Sequence, residues 1–222
     1  MGTITAKTLI TRVSHTMQDY NNTHWLIPEH LDYLNDAQRQ LVIYIASACT
    51  KNEPRKLEPG TLQTIPAEGY RFIKGHRNMG LSGATPGRAV RAVDYDTLSD
   101  ANPDWHTSTP ADVVLEYAFD MNDPKRFYVW PPQPSSTHYL QITYSCTPTV
   151  IAGVNSVITV DDVYANAIME YMEYRAWRKG GKDMNIAKSD AAFTQFANAL
   201  GLKLQSDQMI IPGNAVVTET EE

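Results

Sequence analysis

Cysteine is nearly absent from this sequence: Cys49 and Cys146 are the only two in 222 residues. Two thiols so far apart give no disulfide framework, and both are expected to be reduced and buried, one in a helix and one in a strand. No apolar run approaches the roughly 20 residues needed to cross a bilayer. The first residues, MGTITAKTLI, lack the basic, then apolar, then small order of a secretory signal. These absences argue for synthesis in a cytoplasm and against a membrane partner. The histidines (His15, His24, His30, His76, His106 and His138) show no metal-ligand spacing, and neither HExxH nor CxxC occurs. GxSxG, Walker and Rossmann glycine patterns are also missing. Gly80–Gly87 (GLSGATPG) looks superficially like a phosphate loop, but no Lys-Ser/Thr follows it, so it reads as a plain loop or hairpin tip. Asp94, Asp96, Asp100 and Asp104 cluster amid turn chemistry and read as helix caps rather than as a glycosidase pair. No enzyme, cofactor or metal is expected.

Positive charge is also short. The net charge is −6, which disfavours sequence-independent binding to duplex DNA, because such binding uses Lys and Arg to replace counterions. An acidic wall that DNA slides past is compatible with it.

Helical spacing is what the sequence does have. In Thr159–Lys179, Val160, Val163, Tyr164, Ala167, Ile168, Tyr171, Met172 and Arg175 recur at three- and four-residue steps. Thr159 is the expected N-cap. Asp161 and Asp162 suit the positive end of the helix dipole, Arg175, Arg178 and Lys179 suit the negative end, and Gly180-Gly181 is the stop. Residues 5–18 and 28–49 give two earlier helices, the second opening on Pro28 and burying Leu31, Leu34, Leu41, Val42 and Ile45. Residues 184–200 give a last helix stopped by Gly201.

Between the helices the pattern changes. After a polar break at 50–60, short apolar or alternating runs occur at 60–64, 70–74, 88–93, 113–119, 126–130 and 139–144, separated by turn residues. Asp120–Pro124 is a turn pairing LEYAF with RFYVW, and Pro131-Pro132-Gln133-Pro134 is expected to end the second strand. The fold class is α+β. Helices from 1–52 and 158–201 form a bundle, 53–157 is an inserted antiparallel β-rich segment, and 202–222 is an extended C-terminal tail with unplaced apolar residues and an acidic end.

One stretch is basic: Arg71, Lys74, His76, Arg77, Arg88 and Arg91, with Tyr70 and Phe72 interleaved. It reads as a phosphate-contacting patch, a docking face for an acidic neighbour, or a solvated strand face.

Three places together resemble a known family: WLIPEHLDYLNDAQRQLV (25–42), RAVRAVDYDTLSDANPDWH with DPKRFYVWPP (88–106 and 123–132), and DDVYANAIMEYMEYRAWRKGGKD followed by AAFTQFANALG (161–183 and 191–201). Their order and spacing are similar to those of the head–tail adaptor (connector) proteins of short-tailed bacteriophages, of the tail tubular protein A kind. The likeness covers about residues 5–205 and is weakest in the Gly80–Gly87 loop and the last twenty residues. It implies a structural virion protein at the head–tail junction, in a ring of usually twelve copies beneath the portal protein. Such a ring extends the DNA channel, passes genomic DNA without reading its sequence, and docks the next tail component, the nozzle or tube protein. The interface residues expected on this basis are Arg71, Lys74, Arg77, Arg88 and Arg91 on the β-rich part, and Leu202, Leu204, Met209, Ile210 and Ile211 on the tail. The rival readings are a nucleic-acid-binding module using residues 71–91 and, with no constellation to support it, a small hydrolase.

Overall fold

The computed structural model describes residues 2–134, 137–181 and 184–210, the side chains of Leu202 and residues 204–210 excepted. It is a mixed α+β structure that divides into two compact units, one of residues 1–48 with 148–222 and one of residues 49–147.

The first unit holds four helices: α1 (Ala6–Thr16), α2 (Ile27–Tyr44), α4 (Ala165–Trp177) and α5 (Ile186–Ile210). Thr5 caps α1 by accepting from Thr8 N at 3.3 Å. Pro28 occupies the first turn of α2, and Glu29 reaches back to accept from Leu26 N at 2.9 Å. The central helix is α4, which packs against α1, α2 and α5. Ala167, Ile168, Tyr171, Met172 and Ala176 are buried on it, against Leu9 and Val13 of α1, Leu34 and Leu41 of α2, and Phe196 and Leu200 of α5. Polar bonds fix the register. Arg175 Nη1 donates to Asp36 Oδ2 at 2.7 Å, Lys179 Nζ to Glu29 Oε2 at 2.8 Å and to His24 O at 2.7 Å, and Trp25 Nε1 to Ala176 O at 3.0 Å.

Two details differ from the expected α4. Its entrance is a 3-10 turn, Asp162–Tyr164, capped by Asp161, whose carboxylate accepts from Val163 N at 3.1 Å. Thr159 is not the cap; its amide donates to Gln38 Oε1 at 2.8 Å. Val163 is exposed rather than part of the apolar face.

A larger correction concerns α5. Gly201 does not stop it, and the helix continues to Ile210, so residues 202–210 are not extended. A glycine costs a helix about 1 kcal/mol, and Leu202, Lys203, Leu204 and Gln205 beyond it are good helix formers. Ile211 and the rest of the expected tail lie outside the described residues.

The second unit holds two sheets and a short helix. β1 (Thr50–Lys56), β7 (Tyr139–Cys146) and β3 (Gly69–Asn78) form one sheet in the order β1-β7-β3, antiparallel throughout. β2 (Gly60–Thr64), β6 (Arg126–Gln133), β5 (Glu116–Ala118) and β4 (Arg91–Ala92) form the other in the order β2-β6-β5-β4. The insert is not wholly antiparallel, because β4 and β5 run parallel, with Arg91 opposite Glu116. The expected β5–β6 pairing is present, with Tyr117 opposite Val129. Between the sheets Phe72 stacks on Phe127 with ring centroids 4.3 Å apart, over Tyr117, Val129, Leu140 and Ile142. Helix α3 (Tyr95–Ala101) is capped by Asp94, which accepts from Asp96 N and Thr97 N at 3.2 Å, the role expected of it.

Three further differences have local causes. β6 runs through Pro131 and Pro132, because the ladder there needs only acceptors: Trp130 O receives from Leu115 N at 2.9 Å and Pro132 O from Ala111 N at 3.0 Å. β1 forms from TKNEPRK, expected as a break; it is a sheet edge whose partners all lie on β7. The two cysteines are paired rather than reduced. Cys49 and Cys146 form a disulfide with Cα atoms 5.5 Å apart, one step beyond the Thr50–Ser145 rung, and Cys146 N donates to Cys49 O at 2.8 Å.

Candidate interaction surface

A regular strand shows every second residue on a face, but the basic residues of β3 are three apart: Arg71, Lys74 and Arg77. The strand resolves this with three bulges, between Gly69 and Arg71, Phe72 and Lys74, and Gly75 and Arg77. Each bulge absorbs one residue. Arg71, Lys74 and Arg77 therefore stand opposite Ser145, Thr143 and Gln141, alternate residues of regular β7, and share a face. Phe72, Gly75 and Asn78, opposite Tyr144, Ile142 and Leu140, turn to the core. Gly75 lets the Tyr117 ring come close, since a Cβ would lie 3.1 Å from it.

The basic face carries uncharged neighbours. Arg77 Nε donates to Gln141 Oε1 at 2.7 Å, Gln141 Nε2 to Asn52 Oδ1 at 2.9 Å, and His76 Nε2 lies 2.7 Å from Thr143 Oγ1. Among the described residues no carboxylate forms an ion pair with Arg71, Lys74 or Arg77. Burial, and then the positive charges of Lys74 and Arg77, hold His76 below the usual histidine range. Among the described residues the ladder is thus a row of three cations without counter-charge.

The other expected interface residues do not join the row. Arg91 is on β4, where its guanidinium pairs with Glu116 of β5. Arg88 is exposed at the end of the glycine-containing loop, and its carbonyl accepts from Asn78 N at 2.9 Å. Leu202, Leu204, Met209 and Ile210 belong to α5.

Asn78, missed as a functional residue by the sequence reading, organises that loop. Its amide nitrogen donates to Arg88 O and Val114 O, and its amide oxygen accepts from Val114 N, all at 2.9 Å. Gly80 and Gly83 make the turn with φ of +65° and +75°. The loop and Asp112, Val113, His138 and Tyr139 enclose a cavity of 260 Å³. Asn78→Ala removes both sides of the Val114 bonding in a buried setting. The expected loss is about 2 kcal/mol of unfolding free energy, read by urea denaturation; a loss within error contradicts the organising role.

The first unit has a second cavity of 600 Å³, lined by Asp19, His24, Trp25, Trp177 and Lys188 among others. The Asp19 oxygens are engaged by the backbone amides of Thr23, His24 and Trp25 and by the Thr23 hydroxyl. Lys188 Nζ sits 4.2 Å from the Trp177 ring centroid. Among the described residues no group of histidine, cysteine and carboxylate side chains could hold a metal ion, and no helix is long and apolar enough to cross a membrane.

The model of the SU10 adaptor protein family matches residues 4–217, nearly the whole chain. The chain belongs to the SU10 adaptor protein family. The resemblance to phage adaptors read from residues 25–42, 88–106 with 123–132, and 161–183 with 191–201 is borne out. Membership makes this SU10 adaptor a structural component of a phage virion, one that assembles with other virion components. Adaptors of this family are structural phage proteins. No curated protein matches the chain.

Proposed function

We propose that the protein is the head-to-tail adaptor of a short-tailed phage. Copies of the chain, twelve in this reading, close into a ring under the portal protein, extend the channel through which genomic DNA leaves, and present a surface to the nozzle or tube protein. The observation that carries the proposal is the family match over residues 4–217. The chemistry of the chain agrees with it. A ring subunit needs two different faces that meet head to tail. The ladder Arg71, Lys74 and Arg77, without an ion pair among the described residues, offers a basic face, and a net charge of −6 leaves acidic surface for a second. The same net charge suits a channel wall that DNA passes without adhering. Helices from both ends of the chain form one bundle in this reading, and the β-rich insert forms a part of its own. Arg88 and the α5 residues Leu202, Leu204, Met209 and Ile210, with Ile211, are the remaining interface candidates.

Native mass measured with and without the cognate portal ring tests this. A defined multimer is expected on the portal, and deletion of residues 211–222 is expected to weaken it. A chain that stays monomeric with the portal present, and shifts instead on added DNA, would overturn the adaptor reading. The basic segment 71–91 would then be a nucleic-acid-binding surface.

A further inference from the structure

The ladder on β3 has a spacing as well as a charge. Because Arg71, Lys74 and Arg77 stand opposite alternate residues of β7, successive rungs are separated by two strand steps, about 6.8 Å. An extended partner whose anions recur at that interval can meet successive rungs.

Several close-set carboxylates among the described residues are already engaged. Asp94 caps α3, Asp161 and Asp162 hold the entrance to α4 and the chain at Thr3, and Asp123 pairs with Arg126. The segment Thr218-Glu219-Thr220-Glu221-Glu222 is different in pattern: two of its glutamates alternate with threonine and a third follows. In an extended backbone Glu219 and Glu221 fall on one side, about 6.8 Å apart, which is the rung spacing. These two match two rungs of the ladder, and Glu222, the next residue, adds a third anion beside them.

We propose that the Arg71–Lys74–Arg77 ladder of one copy receives the acidic segment 218–222 of a second copy. The contact is head to tail: the ladder and the segment are different surfaces, so each copy accepts one segment and donates one. That is the heterologous contact from which closed rings are built. The inference rests on the ring reading for its second copy. It replaces the five-residue basic interface with three residues, because Arg91 is paired with Glu116 and Arg88 lies outside the β3 ladder.

The test uses the full chain and a fluorescein-labelled peptide of residues 211–222, followed by anisotropy at low ionic strength. Saturable binding is expected, abolished at 0.5 M salt and weakened at least tenfold by R71Q/K74Q/R77Q. A peptide with its three glutamates changed to glutamine should bind at least tenfold more weakly to the unaltered protein, a comparison that no folding defect can produce. Equal binding of the two peptides overturns the proposal. So does failure of the acidic peptide to bind while labelled duplex DNA binds through the same three residues. To show that the donor is a second copy, full-length R71Q/K74Q/R77Q is mixed with full-length E219Q/E221Q/E222Q. A paired species that neither variant forms alone is expected. Its absence, under conditions where the unaltered chain multimerises, rules out the assignment. Loss of ring formation on the portal with peptide binding intact would count against the adaptor reading and not against the ladder.

Discussion

Changing Cys49 and Cys146 together to alanine is expected to lower the unfolding free energy of the 49–147 unit by about 4 kcal/mol. The two residues are 97 positions apart, at the sequence limits of that unit. A cross-link across so long a loop removes much of the freedom of the unfolded chain, and by loop closure alone a 100-residue loop is worth about 4.7 kcal/mol. Alanine fills most of the thiol volume, and both sites are nearly buried, so repacking adds little. Guanidinium denaturation of the full chain, followed by hydrogen exchange at β7 amides such as Ile142 and Tyr144, measures the effect. A reducing agent should reproduce the double variant in the unaltered protein. If neither treatment shifts the midpoint, the two sulfurs do not clasp the unit.

Asp19→Ala is expected to cost about 3 kcal/mol, confined to the helical unit. Its carboxylate accepts from Thr23 N at 2.8 Å, Thr23 Oγ1 at 2.9 Å, His24 N at 2.9 Å and Trp25 N at 2.9 Å. Those bonds tie down the connection that delivers Trp25 to the core and Pro28 to the start of α2. Burial alone would raise the Asp19 pKa, but the amides of Trp25, Thr23 and His24 and the Thr23 hydroxyl outweigh it and lower the value to about 2. The ordinary value is 3.8. The folded state therefore holds the proton less tightly, and the stabilisation, about 2 kcal/mol, is complete above pH 3.8 and lost as pH falls through 2.

A separate loss begins at higher pH. His30 is fully buried with neither ring nitrogen hydrogen-bonded among the described residues, and burial, aided by Lys179 and opposed by Asp19 and Glu29, lowers its pKa. The unfolded chain takes up that proton first, so stability drops as pH falls below 6.5. Acid titration of the unaltered protein should show both losses. Asp19→Ala should keep the upper one and lack the lower one; a variant that keeps both refutes the assignment.

The helices were legible because their signals are local. The apolar steps that place Leu9, Ile10 and Val13 on one side of α1, or Ile168 and Met172 on one side of α4, lie within a few residues of each other. The β5–β6 turn was legible for the same reason. What escaped depends on distant residues. β1 has no apolar residue to betray it and exists because β7 offers a ladder. The prolines of β6 persist because the chain segments beside them bring donors. The cysteines meet only after the β-rich unit has closed. In the candidate surface, the basic residues could be named from their composition, but their grouping could not. Arg91 faces Glu116 across a parallel pair that no hairpin spacing announces. The three-residue step of Arg71, Lys74 and Arg77, with Gly75 among them, was a visible sign of bulging that an alternating template does not count.

The closeness of Cys49 and Cys146 also bears on how such a chain can be rebuilt. A segment whose two ends sit 5.5 Å apart occupies the gap that a tight turn would fill. Residues 49–147 therefore have the anatomy of a cassette: they can be cut out, exchanged for a homologous insert or circularly permuted, with the graft confined to neighbouring positions. Lineages of such proteins could trade the β-rich part wholesale while the helical sequence on either side evolves on its own schedule.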